Sequence, residues 1–356
     1  MRQQYFSIIK NLCKIKSLYD FPKKIIKIKG NLENSIKENL IKGKTALLCD
    51  KYVRALLIKK TNINIFDEQI LFCGECCPEE FRRIFLFLQE KKIKNLIASG
   101  GGKVLDIAKY LKKNLSDINL INIPTSAATC AAFTPVSVIY NKDGSYLSII
   151  DTISPDVLII EYEFFLDLPL IFFAAGIMDT ITKFYETDIF YKNEKEKNFS
   201  DYFTRDLLLI LKKNILKIIK KNKNDFNEKE RIFLTDCNII YSGLASCVGV
   251  KTVTSSVAHC LAHAMTVIKS SCEYLHGEHI AVSVLIQEEL LNNKRNINEI
   301  ENVISKIDLP DKLSDIGIQE RDLDLLYKKY NEIKQNEKIY IPVNDDLMYN
   351  IIEKKL

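Results

Sequence analysis

The four histidines of this 356-residue chain all fall between positions 259 and 279, in SSVAHCLAHAMTVIKSSCEYLHGEHIAVSVLIQEEL. Imidazole is the commonest nitrogen ligand for Zn2+ and Fe2+, so such a cluster points first to a metal. His259 and His263 are four apart, which puts both rings on one face of a helix. His276 stands beside Gly277, where the chain can turn sharply and re-enter the same space. Spacing alone pairs His259 with His263 and leaves the third ligand unassigned. It also leaves open a metal-free reading in which the rings belong to a hydrogen-bond network. A catalytic metal keeps one position open for substrate, and three protein ligands suit that need.

A second candidate is Gly100-Gly101-Gly102-Lys103, which follows a strand-like run and precedes a helical one. Free backbone N–H groups and the positive end of a helix can hold a phosphate there. The spacing is not G-x-G-x-x-G, so by itself the run reads equally well as a tight turn. Asp106 and Lys109, three and six residues beyond Lys103, fall near the first turns of the same helix. Cys73, Cys76 and Cys77 form a cluster with no second cysteine pair at ribbon spacing downstream, which favours packing or a turn over zinc.

These residues need elements to position them. KTALLCD (44–50) reads as a strand ending on Asp50, residues 51–60 as a helix, QILFC (69–73) as a strand and PEEFRRIFLFLQEKK (78–92) as a helix. KNLIASGGGKVLDIAKYL then reads as strand, turn and helix, and INLINIP (118–124) as a further strand. Asp143-Gly144 signals a hairpin between two strand-like runs, and DVLIIE (156–161) is the last apolar run of this kind. Alternation of this sort predicts parallel βαβ units in an α/β sandwich. Beyond residue 165 the patterns are helical, broken by polar stretches at 192–198 and 220–230. The expectation is an α/β, Rossmann-like domain over residues 1–164 and an all-helical domain over 165–356, without an internal repeat.

GGGKVLDIAK resembles the cofactor pyrophosphate motif of the iron-containing alcohol dehydrogenase and glycerol dehydrogenase superfamily, whose fold is dehydroquinate synthase-like. The resemblance runs from about residue 40 to 290 with the motifs in order. It implies that Gly100, Gly101, Gly102, Lys103 and Asp106 serve a nicotinamide dinucleotide, NAD or NADP, and that Asp50 contacts the adenosine ribose, although an Asp there is also a common helix N-cap. In PTSAATCAAFTPVSVIY (124–140), Thr125, Thr134, Val136 and Tyr140 fall in register with further cofactor contacts, while Ala128 replaces a serine.

The same resemblance splits the naive histidine pair. It implies one divalent metal, Zn2+ or Fe2+, on the Asp179 of a Gly176-Ile177-Met178-Asp179 turn, on His259 and on the His276 of a His-Gly turn. His263 then matches a histidine beside the substrate, and His279 matches no ligand, so it is expected behind the site or at the surface. Cys130 stands where glycerol and glycerol-1-phosphate dehydrogenases carry an Asp that contacts substrate hydroxyls, and it would face the open metal position. A thiol is a poor acceptor for a polyol. The run AATCAAFTPVSVIY instead is similar to the hydroxycarboxylate dehydrogenase branch, which reduces small 2-oxo acids. The resemblance thus implies hydride transfer between NAD(P) and a small alcohol or 2-hydroxy acid. Glycerol or glycerol-1-phosphate oxidation, a dehydroquinate synthase-like lyase and a binding protein without turnover are the alternatives.

Composition agrees with a folded enzyme: 47% hydrophobic and 27% charged residues, with 51 basic against 46 acidic side chains scattered along the chain. The net charge of +5 is not gathered into a patch, which argues against nucleic acid as a partner and leaves a small-molecule substrate. The first thirty residues break each apolar run with Lys and lack an export h-region, and nothing later reaches an uncharged span of membrane length. A cytoplasmic location with mostly reduced thiols among the ten cysteines is expected, and a homo-oligomer is left open.

Overall fold

The computed structural model describes residues 20–61, 65–193, 196–221, 225–249, 256–337 and 345–356. Most of the leading segment lies outside them, as do parts of the polar stretches at 192–198 and 220–230. The α/β part runs β1 (Lys24–Ile28), α1 (Leu32–Lys37), β2 (Lys44–Cys49), α2 (Lys51–Ile58), β3 (Glu68–Leu71), α3 (Pro78–Lys91), β4 (Ile93–Gly100), α4 (Gly102–Asn114) and β5 (Asn119–Pro124). It continues through β6 (Val136–Tyr140), β7 (Tyr146–Asp151) and β8 (Val157–Glu161). Strands β1-β8-β5-β4-β2-β3 form one six-stranded sheet, all pairs parallel, and β6 and β7 form a separate antiparallel hairpin.

The central strands are apolar on both faces because helices cover both, so Ala46, Leu47, Leu48, Leu96, Ile97, Ala98, Leu120, Ile121 and Ile123 are fully buried. Strand β1 and helix α1 were not foreseen from the sequence. The strand reads KIIKI and forms the sheet's edge, where lysines point to solvent and hide the apolar pattern. The order of the sheet reverses at β2, which has β3 on one side and β4 on the other. In such sheets ligands bind at the strands' carboxyl ends beside the reversal. Asp50 and Gly100–Gly102 occupy those two ends.

After Glu161 every described element is helical. The run is α5 (Glu163–Leu166), α6 (Leu170–Asn193), α7 (Phe199–Lys221), α8 (Glu228–Thr235), a π-helical turn (Asp236–Tyr241), α9 (Ser242–Val248) and α10 (Val257–Met265). Then come α11 (His276–Leu290), α12 (Lys294–Ile307), α13 (Leu323–Glu337) and α14 (Asp345–Lys354). No described helix is long and apolar enough to cross a membrane.

Gly176 to Asp179 lie inside α6, and so form no turn, contrary to the expectation. Residues 170–185 contain no proline and are mostly apolar, so the helix passes through the glycine. The glycine is there for proximity: a Cβ built on it would sit 1.9 Å from the Ala127 carbonyl oxygen. Gly277 does the same from the other side, since its Cβ would lie 2.1 Å from the Ala175 carbonyl oxygen and 2.3 Å from the Ala175 Cα. Two glycines therefore let α11 and the 125–131 loop close onto one stretch of α6.

The hairpin joins the two halves. Lys109 of α4, fully buried, donates to the Thr134 carbonyl oxygen at 2.9 Å and to that of Val136, and pairs with Asp106 at 2.8 Å. At the hairpin's far end Tyr146 enters the apolar cluster of α10, α11 and α13, and its N–H donates to Thr266 Oγ1 at 2.7 Å.

Candidate active site

Asp179 from α6, His259 from α10 and His276 from the first turn of α11 converge. One ligand atom from each lies within 4.8 Å of the others. Asp179 Oδ1 is 3.3 Å from His259 Nε2 and 3.9 Å from His276 Nε2. Two imidazole nitrogens and one carboxylate oxygen form a donor set that fits Zn2+ or Fe2+ and leaves coordination positions free. His263 contributes no atom to this group, although it shares α10 with His259. Its ring is stacked between Tyr146, at 4.3 Å between centroids, and His276, at 5.4 Å.

The remaining histidine is buried, not superficial. His279 is 2% exposed and shares a 2.7 Å hydrogen bond with the Ser271 hydroxyl, behind the site.

Two residues the sequence reading missed sit directly on these groups. Lys183 donates to Asp179 Oδ2 at 2.7 Å, to Ser242 Oγ at 2.9 Å and to Cys130 Sγ at 3.2 Å. Glu186 accepts from His259 Nδ1 at 2.6 Å and also from the Ser256 hydroxyl. This bond fixes the tautomer of His259, so that Nε2 faces the carboxylate of Asp179. The signal was present in DTITKFYE: Asp179, Lys183 and Glu186 fall at helical spacing, the only charged residues in an otherwise uncharged face. Asn238, in the π-helical turn, was also missed. It donates to the Ala127 carbonyl oxygen at 3.1 Å and accepts from Thr180, tying the 125–131 loop to α6.

Electrostatics follow from burial and these partners. Burial would push the Asp179 carboxyl up, but Lys183, His259 and His276 hold it well below the usual carboxylate range. Burial would push His259 down, yet Glu186 and Asp179 raise it to about 10. Burial dominates at His276, which falls to about 3, at His279, which falls to about 4, and at His263, which is held neutral by burial and its histidine neighbours. In metal-free protein His259 Nε2 therefore carries a proton directed at Asp179, and a cation must displace it. Lower pH strengthens that competition, whereas His276 adds none above pH 5 or so. The apparent affinity for Zn2+ is expected to rise about tenfold per pH unit from pH 7 to 9. Competition with a chromophoric chelator measures it, and a flat profile would contradict a proton at His259.

The glycine turn lies at the end of β4, with Gly101 at the N-cap of α4. A Cβ built on Gly101 would meet nothing within 4 Å, so the turn's outer face is open to a ligand. The first-turn N–H groups of a 13-residue helix point into that space, a fit for a cofactor pyrophosphate. Thr125 donates its N–H to the Gly100 carbonyl oxygen at 3.1 Å. Lys103 is paired with Glu75 at 2.7 Å and lies over the Tyr140 ring at 4.9 Å. Asp50 Oδ1 caps α2 through the N–H groups of Tyr52 and Val53, both at 2.8 Å.

Asp106 is placed differently from its neighbours in the motif. It is 5% exposed, paired with Lys109, and accepts from Val138 N–H at 3.1 Å, so its carboxylate is used on the hairpin and not at the mouth of the turn. Thr134 is buried and Val136 opens β6. Ala128 donates its N–H to Ser126 Oγ at 3.3 Å. Cys130 is 8% exposed, and its sulfur also lies 3.9 Å from Ser246 Oγ. Cys76 is buried, Cys77 precedes α3 as its N-cap and Cys73 is exposed.

Residues 22–162 match the family model described as iron-containing alcohol dehydrogenase. The chain is 28% identical over 260 residues to hydroxycarboxylate dehydrogenase A of Escherichia coli K12, 70% of either chain. It is 28% identical over 282 residues to a glycerol dehydrogenase of Thermotoga maritima, covering 76% of this chain and 75% of that one. A glycerol-1-phosphate dehydrogenase of Sulfurisphaera tokodaii is 24% identical over 310 residues, 85% of this chain and 86% of its own. Among solved structures, a probable glycerol dehydrogenase from Sinorhizobium meliloti 1021 superposes with a TM-score of 0.79 at 22% identity, over 94% of this chain and 97% of that one. The α/β half followed by a helical half, expected from the sequence, is the fold these structures share.

Proposed function

Because the chain belongs to the iron-containing alcohol dehydrogenase and glycerol dehydrogenase superfamily and is an oxidoreductase of that kind, we propose that it moves a hydride between NAD or NADP and a small alcohol or 2-hydroxy acid, with reduction of 2-oxo acids favoured. The observation that carries this reading is the convergence of Asp179, His259 and His276 on one point. Cys130, in place of a hydroxyl-binding Asp, favours the 2-oxo acid over a polyol.

In this reading residues 1–164 form the dinucleotide-binding domain and 165–356 the domain that holds metal and substrate. The N–H groups of Gly102 and Lys103 take the pyrophosphate, Asp50 faces the ribose, and Thr125, Thr134, Val136 and Tyr140 line the rest of the cofactor's path. Asp106 and Lys109 serve it indirectly, by fixing the hairpin. A divalent ion, Zn2+ or Fe2+, held by Asp179, His259 and His276 would supply polarisation of the substrate oxygen, and a bound nicotinamide would supply or accept the hydride.

The chain's own groups do the rest. Lys183 and Glu186 keep Asp179 and His259 in one orientation, which lowers the reorganisation needed during reaction. His263, held neutral, or a water chain carries the proton. We place the enzyme in the cytoplasm, free or as a homo-oligomer, with no nucleic acid or membrane partner.

A spectrophotometric screen of 2-oxo acids, aldehydes, glycerol and glycerol-1-phosphate, with both cofactors and with Zn2+ or Fe2+ restored after chelation, tests the reading. A steady change in nicotinamide absorbance on a 2-oxo acid is expected. Turnover confined to glycerol or its phosphate would move the chain to the branch of its other relatives. Consumption of a substrate with no net change in absorbance would indicate a lyase that returns the hydride within each turnover.

A further inference from the structure

We propose that Lys183 is the specificity-determining residue of this site, a buried cation that takes the carboxylate of an anionic 2-oxo acid beside Cys130. The inference rests on the reading above and names the residue that would set the substrate's charge.

Lys183 is 4% exposed and reaches Asp179, Ser242 and Cys130 with its three N–H donors. Two of those acceptors are oxygens, at 2.7 and 2.9 Å. The third is a sulfur, a weak acceptor for a charged donor. One N–H of a buried ammonium is thus aimed at the place where substrate is expected and is held there by the poorest partner. A carboxylate oxygen arriving at Cys130 would replace that contact with a charge-assisted bond of about twice the strength of a neutral one.

Charge balance points the same way. The two carboxylates of the site, Asp179 as a ligand and Glu186 on the ligand His259, equal a divalent ion in charge. Lys183 is then one positive charge in excess. An uncompensated buried charge is costly, and a monocarboxylate substrate cancels it where a neutral polyol does not.

The test compares pyruvate with hydroxyacetone, which share a carbon skeleton and differ in a carboxylate against a hydroxymethyl group. The metal-loaded protein is expected to prefer pyruvate. In Lys183→Gln the ratio of kcat/KM for pyruvate to that for hydroxyacetone is expected to fall about a hundredfold, the effect of losing a charged, desolvated hydrogen bond. Calorimetric titration with oxamate, which needs no turnover, should show binding weakened by a similar factor at unchanged metal content.

A ratio that holds while bound metal is lost would overturn the inference and leave Lys183 as a brace for Asp179. Should K183Q fail to fold, Cys130→Asp keeps Lys183 and supplies the carboxylate internally: oxamate binding should fall and the preference shift toward hydroxyacetone, and tight oxamate binding in C130D would overturn the idea. Absence of nicotinamide-linked turnover on every carbonyl compound, with oxamate still bound in a Lys183-dependent way, would sink the oxidoreductase reading and spare this one.

Discussion

Replacing His276 with alanine is expected to abolish turnover while leaving the fold in place. The imidazole stands at the start of α11 with its side chain 24% exposed, and the helix start is capped independently by Glu278, which accepts from Leu275 N–H at 2.7 Å. The stack on His263 loses one ring, but the helix start keeps its own cap. What disappears is one of three donors, and with it the several kcal/mol of charge stabilisation an ion supplies, so a drop of about a thousandfold or more in kcat is expected. Metal analysis of the purified variant should show the ion largely gone, and circular dichroism should match the parent. His279→Ala is the contrast, for that ring is held by Ser271 behind the site; the change should lower Tm and spare bound metal. Full turnover by H276A in chelator-treated buffer would rule out the metal mechanism.

The second large effect is steric. In Gly277→Ala the added methyl would lie 2.1 Å from one backbone atom of Ala175 and 2.3 Å from another, and neither is the movable end of a side chain. Helices α6 and α11 must part, at a cost of about 3 kcal/mol or more. The separation also draws His276 away from Asp179, four residues along α6 from the contact. A lower Tm together with weakened metal binding is therefore expected. Gly101→Ala has open space around its Cβ and should keep its Tm while losing cofactor affinity. Unchanged metal binding in G277A would mean that the crossing of the two helices does not set the ligand spacing.

Periodicity made most of the sheet legible. Strands β2 to β5 and β8 are short apolar runs between helical patterns, and the Asp143-Gly144 turn marks the hairpin. Strand β1 escaped because an edge strand needs no continuous apolar face, and its lysines mask the rest. The histidine candidates stood out because all four histidines fall between 259 and 279, whereas Asp179 came only from the family resemblance. The residues that hold these ligands did not stand out, since a lysine at 183 meets its partners at 130 and 242 only through tertiary packing. The Gly-x-x-Asp segment, expected from the family resemblance to be a turn, lies within a continuous helix, where the glycine marks a close approach of backbones. Asp106, expected from its place in the motif to serve the cofactor, is buried against Lys109 and braces the hairpin, a partner that only tertiary packing supplies.

The alignment of Asp179, Lys183 and Glu186 along α6 has a consequence for how the chain can vary. Each added or deleted residue rotates everything beyond it by about 100°. A one-residue deletion between 179 and 186 would keep all three side chains in the sequence and still turn one or both supporting charges away from the ligands they hold, Asp179 for Lys183 and His259 for Glu186. Point changes fail one at a time, but a frame slip disarms the site at once. Length between these positions is therefore as much a part of the chemistry as the residues that occupy them.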